Sequence, residues 1–315
     1  MRTMASISTD ISTAIRLLKG GQLVAIPTET VYGLAGNALD AAVVAKIFEA
    51  KGRPSFDPLI CHVPDVAAAL NYVSHIPETA RQLTARFWPG PLTLVLPRKK
   101  NIPDLVTSGL DTVGIRCPSH PLTQQLLRHL PFPLAAPSAN PFGYVSPTTA
   151  QHVQDQLGEK INYILDGGPC PVGIESTILS FEGDDATVLR LGGLSAEEIE
   201  SCIGPVKLHL HSSSNPVAPG QLKSHYAPRK KMITGNIEQL LRQHPRAGVL
   251  SFQTNYNSPH QFILSPSGDM AEAAKNLFTA LRMLDNHPTD IILAEYVPEA
   301  GLGRAINDRL RRASA

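Results

Sequence analysis

Short apolar runs of strand length, separated by segments of helical periodicity, constrain this chain to an α/β architecture. The first such run, Leu23-Val24-Ala25-Ile26, is closed by Pro27, and before it Ile11, Ile15 and Leu18 keep the spacing of one helix face. Thr9 or Asp10 can cap that helix, and Gly20-Gly21 stops it. The pattern predicts further helices over 40–50, 65–71, 78–87, 122–130, 148–157 with Ser146 as cap, and 197–202 opened by a Ser195/Glu198 capping box. Strands are expected over 58–63, 92–96, 112–116, 134–136, 163–165, 176–181 and 187–191. Strands and helices do not alternate strictly, which points to one mixed, twisted sheet flanked by helices.

The pattern breaks after Gly204. Residues 205–228 hold Pro205, Pro216, Pro219 and Pro228, the run Ser212-Ser213-Ser214 and no periodicity, as a linker or a loop ordered by what it covers does. Beyond it, expected helices at 237–243, 270–284 and 304–311 alternate with strands at 248–252 and 290–294, a smaller α/β unit with a parallel sheet. The expected organisation is a domain over 1–204, a linker or lid over 205–228 and a second domain over 229–315, which suits a chain of 315 residues.

The charge balance excludes some functions. With 28 basic and 27 acidic residues the formal charge is +1, unlike chains that grip nucleic acid nonspecifically. Arg98-Lys99-Lys100 and Arg229-Lys230-Lys231 read first as solvated loops and second as a patch for weak RNA contact. No apolar stretch is long enough to cross a bilayer, so no membrane partner is expected, and the N-terminal residues lack a signal-peptide core. The four cysteines, Cys61, Cys117, Cys170 and Cys202, are far apart, consistent with a reduced cytoplasm. His209 and His211 have no further ligand type at metal spacing, so no metal site is expected. There is no Walker A loop, G-x-G-x-x-G, H-E-x-x-H or G-x-S-x-G.

Polar motifs remain at the expected strand and helix ends, where α/β folds place their sites. They are Pro27-Thr28-Glu29-Thr30-Val31-Tyr32-Gly33-Leu34, then Lys51-Gly52-Arg53-Pro54 with Asp57 and His62 following, and Arg116-Cys117-Pro118. Pro137-Ser138-Ala139-Asn140, Ser176 and Arg190 complete the set. Each alone reads more readily as a turn or cap than as a site. Together, fixed cations among hydroxyl and amide groups suit a phosphate and a carboxylate held side by side.

These motifs, with Gly173-x-Glu175-Ser176-Thr177, resemble the synthase family typified by the YrdC and Sua5 proteins, and Pro219-Gly220-Gln221-Leu222-Lys223-Ser224-His225-Tyr226-Ala227-Pro228 resembles the linker of its long, Sua5-type form. The resemblance implies a YrdC-like twisted sheet with a cationic concave face and a Rossmann-like C-terminal domain. It implies an L-threonylcarbamoyladenylate synthase, a nucleotidyltransferase that makes threonylcarbamoyl-AMP from L-threonine, bicarbonate and ATP for tRNA modification. Thr30, His62, Arg116 and Ser176 would bind L-threonine. Lys51, Arg53, Asp57, Thr112, Ala136, Ser138, Asn140, Ser146, Arg190 and Tyr226 would bind ATP, with Lys51 and Arg53 as the catalytic cations and Mg2+ arriving with the nucleotide. Asp57 departs from the pattern, since many relatives carry Asn there. The product would be handed to the tRNA threonylcarbamoyl-transfer machinery. Two rivals are a hydrogenase-maturing carbamoyltransferase, whose zinc-finger and acylphosphatase-like segments have no counterpart here, and a non-enzymatic RNA-binding module.

Overall fold

Two sheets carry the chain in a computed structural model that describes residues 4–210, 218–220 and 224–315. The first half runs β1 (Ser6–Ser8), α1 (Ile11–Lys19), β2 (Val24–Ile26), β3 (Gly33–Asn37), α2 (Ala41–Lys51), β4 (Ile60–His62), α3 (Val66–Ala69), α4 (Glu78–Phe87) and β5 (Leu92–Pro97). It continues through α5 (Asp104–Thr107), β6 (Thr112–Arg116), α6 (Pro121–Arg128), β7 (Leu134–Ala135), α7 (Ala150–Leu157), β8 (Tyr163–Leu165), β9 (Thr177–Glu182), β10 (Asp185–Arg190) and α8 (Ala196–Ile203). The rest is β11 (Lys207–Leu208), β12 (Lys231–Thr234), α9 (Ile237–Gln243), β13 (Gly248–Ser251), β14 (Gln261–Ile263), α10 (Met270–Asn286), β15 (Ile291–Ala294) and α11 (Leu302–Ala313).

The larger sheet is mixed and has 11 strands, in the order β1-β8-β2-β3-β7-β4-β6-β5-β9-β10-β11. The smaller is wholly parallel, in the order β12-β15-β13-β14. Local chemistry sets several boundaries, those of α1 and α8 as expected. Asp10 and Asp40 cap α1 and α2 through their side chains, and Ser195 with Glu198 forms the capping box of α8.

Three expectations change. Ser146 does not cap the helix near it: α7 starts at Ala150, Thr149 accepts from His152 N, and the Ser146 hydroxyl turns inward onto Glu175. The first polar motif is not all loop, because Gly33 and Leu34 open β3 against β2. The span 205–228 is not without structure, since β11 pairs in parallel with β10. His211, the serine run and Gln221-Leu222-Lys223 lie outside the described residues.

One apolar cluster runs beneath both sheets, joining Leu34, Leu92 and Ile174 to Tyr226, Phe278 and Leu310. The first domain meets α10 closely. At Gly173, where φ is +78°, an added Cβ would sit 2.4 Å from Lys275 Cα, so only glycine fits. Tyr144 donates to Asp285 at 2.7 Å and Arg282 Nε to Ser146 O at 3.2 Å across the same junction.

Candidate active site

Strand register lines up a row of polar side chains. His62 on β4 lies opposite Arg116 on β6, which in turn lies opposite Thr93 on β5. Thr93 Oγ1 is 2.8 Å from Ser176 Oγ, just before β9. Directly paired residues share a face of a sheet. The row therefore crosses the adjacent strands β4, β6, β5 and β9.

The loop after β2 closes one end. Thr28 Oγ1 donates to Val31 O at 2.6 Å, accepts from Thr30 N and Val31 N, and lies 2.8 Å from Thr30 Oγ1, which fixes Thr30. Glu29 turns inward, accepting from Arg116 Nη2 at 2.6 Å and from Ser119 N at 3.0 Å. Arg116 Nε and His62 Nδ1 are both buried without a hydrogen-bond partner. Burial, reinforced by Arg116, pushes the His62 pKa down to about 3, so its imidazole is neutral at ordinary pH.

The opposite end is cationic. Lys51, the last residue of α2, donates to Ser138 O and Asn140 O, both at 2.6 Å, pinning the Ser-Ala-Asn turn. Gly52 takes the left-handed cap conformation at φ 62° and turns the chain toward Arg53. Arg53 donates to Asp57 O at 3.1 Å and Pro58 O at 2.9 Å, with Asp57 Oδ2 2.9 Å from its Nη2. Burial raises the Asp57 pKa against the pull of Arg53, Lys51 and Arg190. Arg190 donates to Ser176 O through Nε and Nη2, to Ser176 Oγ at 3.0 Å, and to Pro219 O at 3.2 Å. Burial, with Arg53 beside it, pushes the Lys51 ammonium well below the usual lysine range. An arriving polyanion reverses that pressure.

The end of the linker region roofs the cleft. Tyr226, at φ 63°, stacks on Phe278 with ring centres 5.7 Å apart, and its hydroxyl has no hydrogen-bond partner. His225 packs edge-on against Tyr226 and Phe142, and burial first, then Arg53, drives its pKa well down.

These groups enclose a cavity of about 50 Å3, room for a few waters rather than a nucleotide. Of the sequence-predicted residues, Thr30, Arg53, His62, Arg116, Ala136, Ser138, Ser176, Arg190 and Tyr226 line it. Lys51 and Asn140 meet in the wall beside it, Asp57 stands against Arg53, and Ser146 is bonded to Glu175. Thr112 lies in an adjoining hollow that shares Ile60 and Pro219 with the cavity. Sequence reasoning missed Glu29, Thr93, Glu175, Gly220 and His225. Glu29, Glu175, Gly220 and His225 stood inside the sequence motifs, whereas Thr93 gave no signal within an apolar strand.

Fold and site define an α/β protein whose buried cleft gathers hydroxyl and guanidinium groups beneath His225 and Tyr226. The Sua5/YciO/YrdC family, described as "telomere recombination", matches residues 16–192, and the C-terminal domain family of threonylcarbamoyl-AMP synthase matches residues 194–315. The threonylcarbamoyl-AMP synthase of Pyrococcus abyssi is 43% identical over 96% of this chain and 94% of its own length. That of Bacillus subtilis is 41% identical, covering 96% and 92%. The crystal structure of P. abyssi Sua5 complexed with L-threonine superposes with a TM-score of 0.92 at 40% identity, covering 100% of this chain and 98% of that one. The chain belongs to the Sua5-type threonylcarbamoyl-AMP synthases. It forms threonylcarbamoyl-AMP and pyrophosphate from L-threonine, bicarbonate or CO2 and ATP, for the threonylcarbamoyladenosine modification of tRNA.

Proposed function

We propose that the two ends of the cleft divide the substrates. L-Threonine lies along the His62–Arg116–Ser176 row, with Arg116 Nε and a second Nη–H on its carboxylate and Thr30, Ser176 or neutral His62 on its hydroxyl. ATP lies at the Lys51–Arg53–Arg190 end, with Ser138, Asn140, Ser146 and Tyr226 beside it. The carrying observation is the buried, unpartnered Arg116 Nε in the cavity that also holds Arg53 and Arg190. Asp57 acts by holding Arg53, and Thr112 belongs to the adjoining hollow.

The threonine amine adds to CO2 to give a carbamate, whose oxygen attacks the α-phosphate as pyrophosphate leaves. No residue becomes covalently bound, and Lys51 and Arg53 stabilise charge that develops on the phosphates. A carbamate decomposes in water, so a roof that excludes solvent suits the step. Mg2+ rides on the triphosphate. Among the described residues no group of three or more His, Cys, Asp or Glu is gathered for a metal.

The domain boundaries at 204 and 229 are part of this reading, as is 205–228 acting as a lid. So is handover of the product to the tRNA-modifying machinery in the cytoplasm; no helix among the described residues is long and apolar enough to cross a membrane. The basic runs read as structural more than as an RNA patch. Arg98 is held by Asp104 and Lys99 by Leu70 O, and Arg229 by Asp285. Pyrophosphate release tests the assignment. Arg53→Ala should lower kcat/KM for ATP by about a hundredfold while L-threonine binding persists. An Arg53→Ala enzyme with full activity removes Arg53 from the phosphates.

A further inference from the structure

A cation from the second domain reaches the nucleotide end of the cleft. Arg309, on α11, is the bulkiest of the fully buried side chains among the described residues. Its Nε donates to Glu175 Oε2 at 3.1 Å and its Nη1 to Leu191 O at 2.6 Å. The guanidinium carbon also lies 5.1 Å from the centre of the Tyr226 ring. Glu175 lines the cavity, and its other oxygen accepts from the Ser146 hydroxyl at 2.5 Å. A lone buried carboxylate there would be unfavourable twice over, once for its lost hydration and again for repelling a triphosphate.

We propose that Arg309 is a positioning residue for ATP. By neutralising Glu175 and supporting the Tyr226 ring it sets the charge and shape of the nucleotide end, so the C-terminal domain takes part in catalysis as well as anchoring the linker. This rests on the reading that the nucleotide lies beside Ser146, Arg190 and Tyr226. Asp308 does not depend on Arg309, because it also pairs with Arg312 at 3.0 Å.

Steady-state pyrophosphate release and L-threonine calorimetry on the full chain test the proposal. Arg309→Met should raise the KM for ATP at least about tenfold and leave L-threonine affinity within about twofold. Adding Glu175→Gln should recover most of the ATP KM, because the uncompensated charge is then gone. The double variant carries no lone buried charge, so it also serves if Arg309→Met folds poorly, and Arg309→Lys should fall between wild type and Arg309→Met. The proposal is overturned if the double variant binds ATP no better than Arg309→Met, or if Arg309→Met loses ATP and L-threonine affinity equally. Ser146→Ala separates the underlying reading. An unchanged ATP KM there withdraws Ser146 from the nucleotide, while the Arg309 and Glu175 variants still decide the charge claim by their own ATP KM.

Discussion

Replacing Arg116 by alanine probes the threonine end most directly. The guanidinium gives one N–H to Glu29 at 2.6 Å and keeps Nε buried without a partner, so Nε–H and a second Nη–H can offer a two-pronged fork to a carboxylate. Charge-assisted bonds contribute roughly 1.5–3 kcal/mol each, and part of that is offset by desolvating the ligand. The net loss is about 2–4 kcal/mol, or about thirty- to eight-hundred-fold in L-threonine affinity. Arg116→Ala also strands Glu29, which keeps the hydrogen bond from Ser119 N at 3.0 Å but loses its cation, and that carboxylate would repel the ligand. Adding Glu29→Gln removes the repulsion, so the double variant should regain part of the affinity and still bind more weakly than wild type. Calorimetry with L-threonine, with ATP titrated in parallel, separates the contributions, and ATP affinity should change by less than about threefold. If both variants fold and bind L-threonine within about twofold of wild type, Arg116 is not the carboxylate ligand.

Three further outcomes are expected. Because Thr30, His62 and Ser176 line the cavity, valine should have a kcat/KM at least about a hundredfold below that of L-threonine and below serine, which lacks only a methyl worth about 1–3 kcal/mol; equal turnover of valine refutes this pocket. Gly220 has φ +84° and an added Cβ there would meet the Tyr226 hydroxyl at 2.6 Å, so Gly220→Ala should weaken the protection of residues 205–228 from protease by ATP and L-threonine, and Tyr226→Ala should lose synthesis while staying folded. Unchanged cleavage with a normal rate makes the segment a plain tether. His62 has a folded pKa of about 3 against about 6.5 unfolded, so the unfolded chain holds more protons between those values and stability is lost as pH falls through them. At pH 5 His62 accounts for about 2 kcal/mol of that loss, and His62→Asn should flatten the slope of denaturation free energy between pH 7.5 and 5 by about that amount; an unaltered slope shows that His62 titrates normally.

Much of the fold was legible because its elements announce themselves locally. The caps of α1, α2 and α8 are short-range chemistry, and β5, β6 and β8 are apolar runs bounded by turn residues. The elements that were missed lack those marks. Gly33 and Gly36 dilute β3, and β11 is two exposed residues recruited by β10. The family and its activity could be read from the order of the motifs, and the comparisons bear both out. What could not be read is which charges face each other. Glu29 and Glu175 are ordinary acids in sequence, and their partners, Arg116 and Arg309, lie 87 and 134 residues further along. Local patterns carry no information about pairings at that range.

That long-range pairing has a consequence for biosynthesis. At roughly 5–20 residues per second, the ribosome needs on the order of ten seconds to travel from Glu175 to Arg309. Over that interval the nascent first sheet can form while its acidic residue stays hydrated in an unroofed cleft, and the apolar surface later covered by Phe278 and Leu310 stays open to chaperones. The cleft thus acquires its final electrostatics late in translation, after most of the polypeptide that surrounds it has been made.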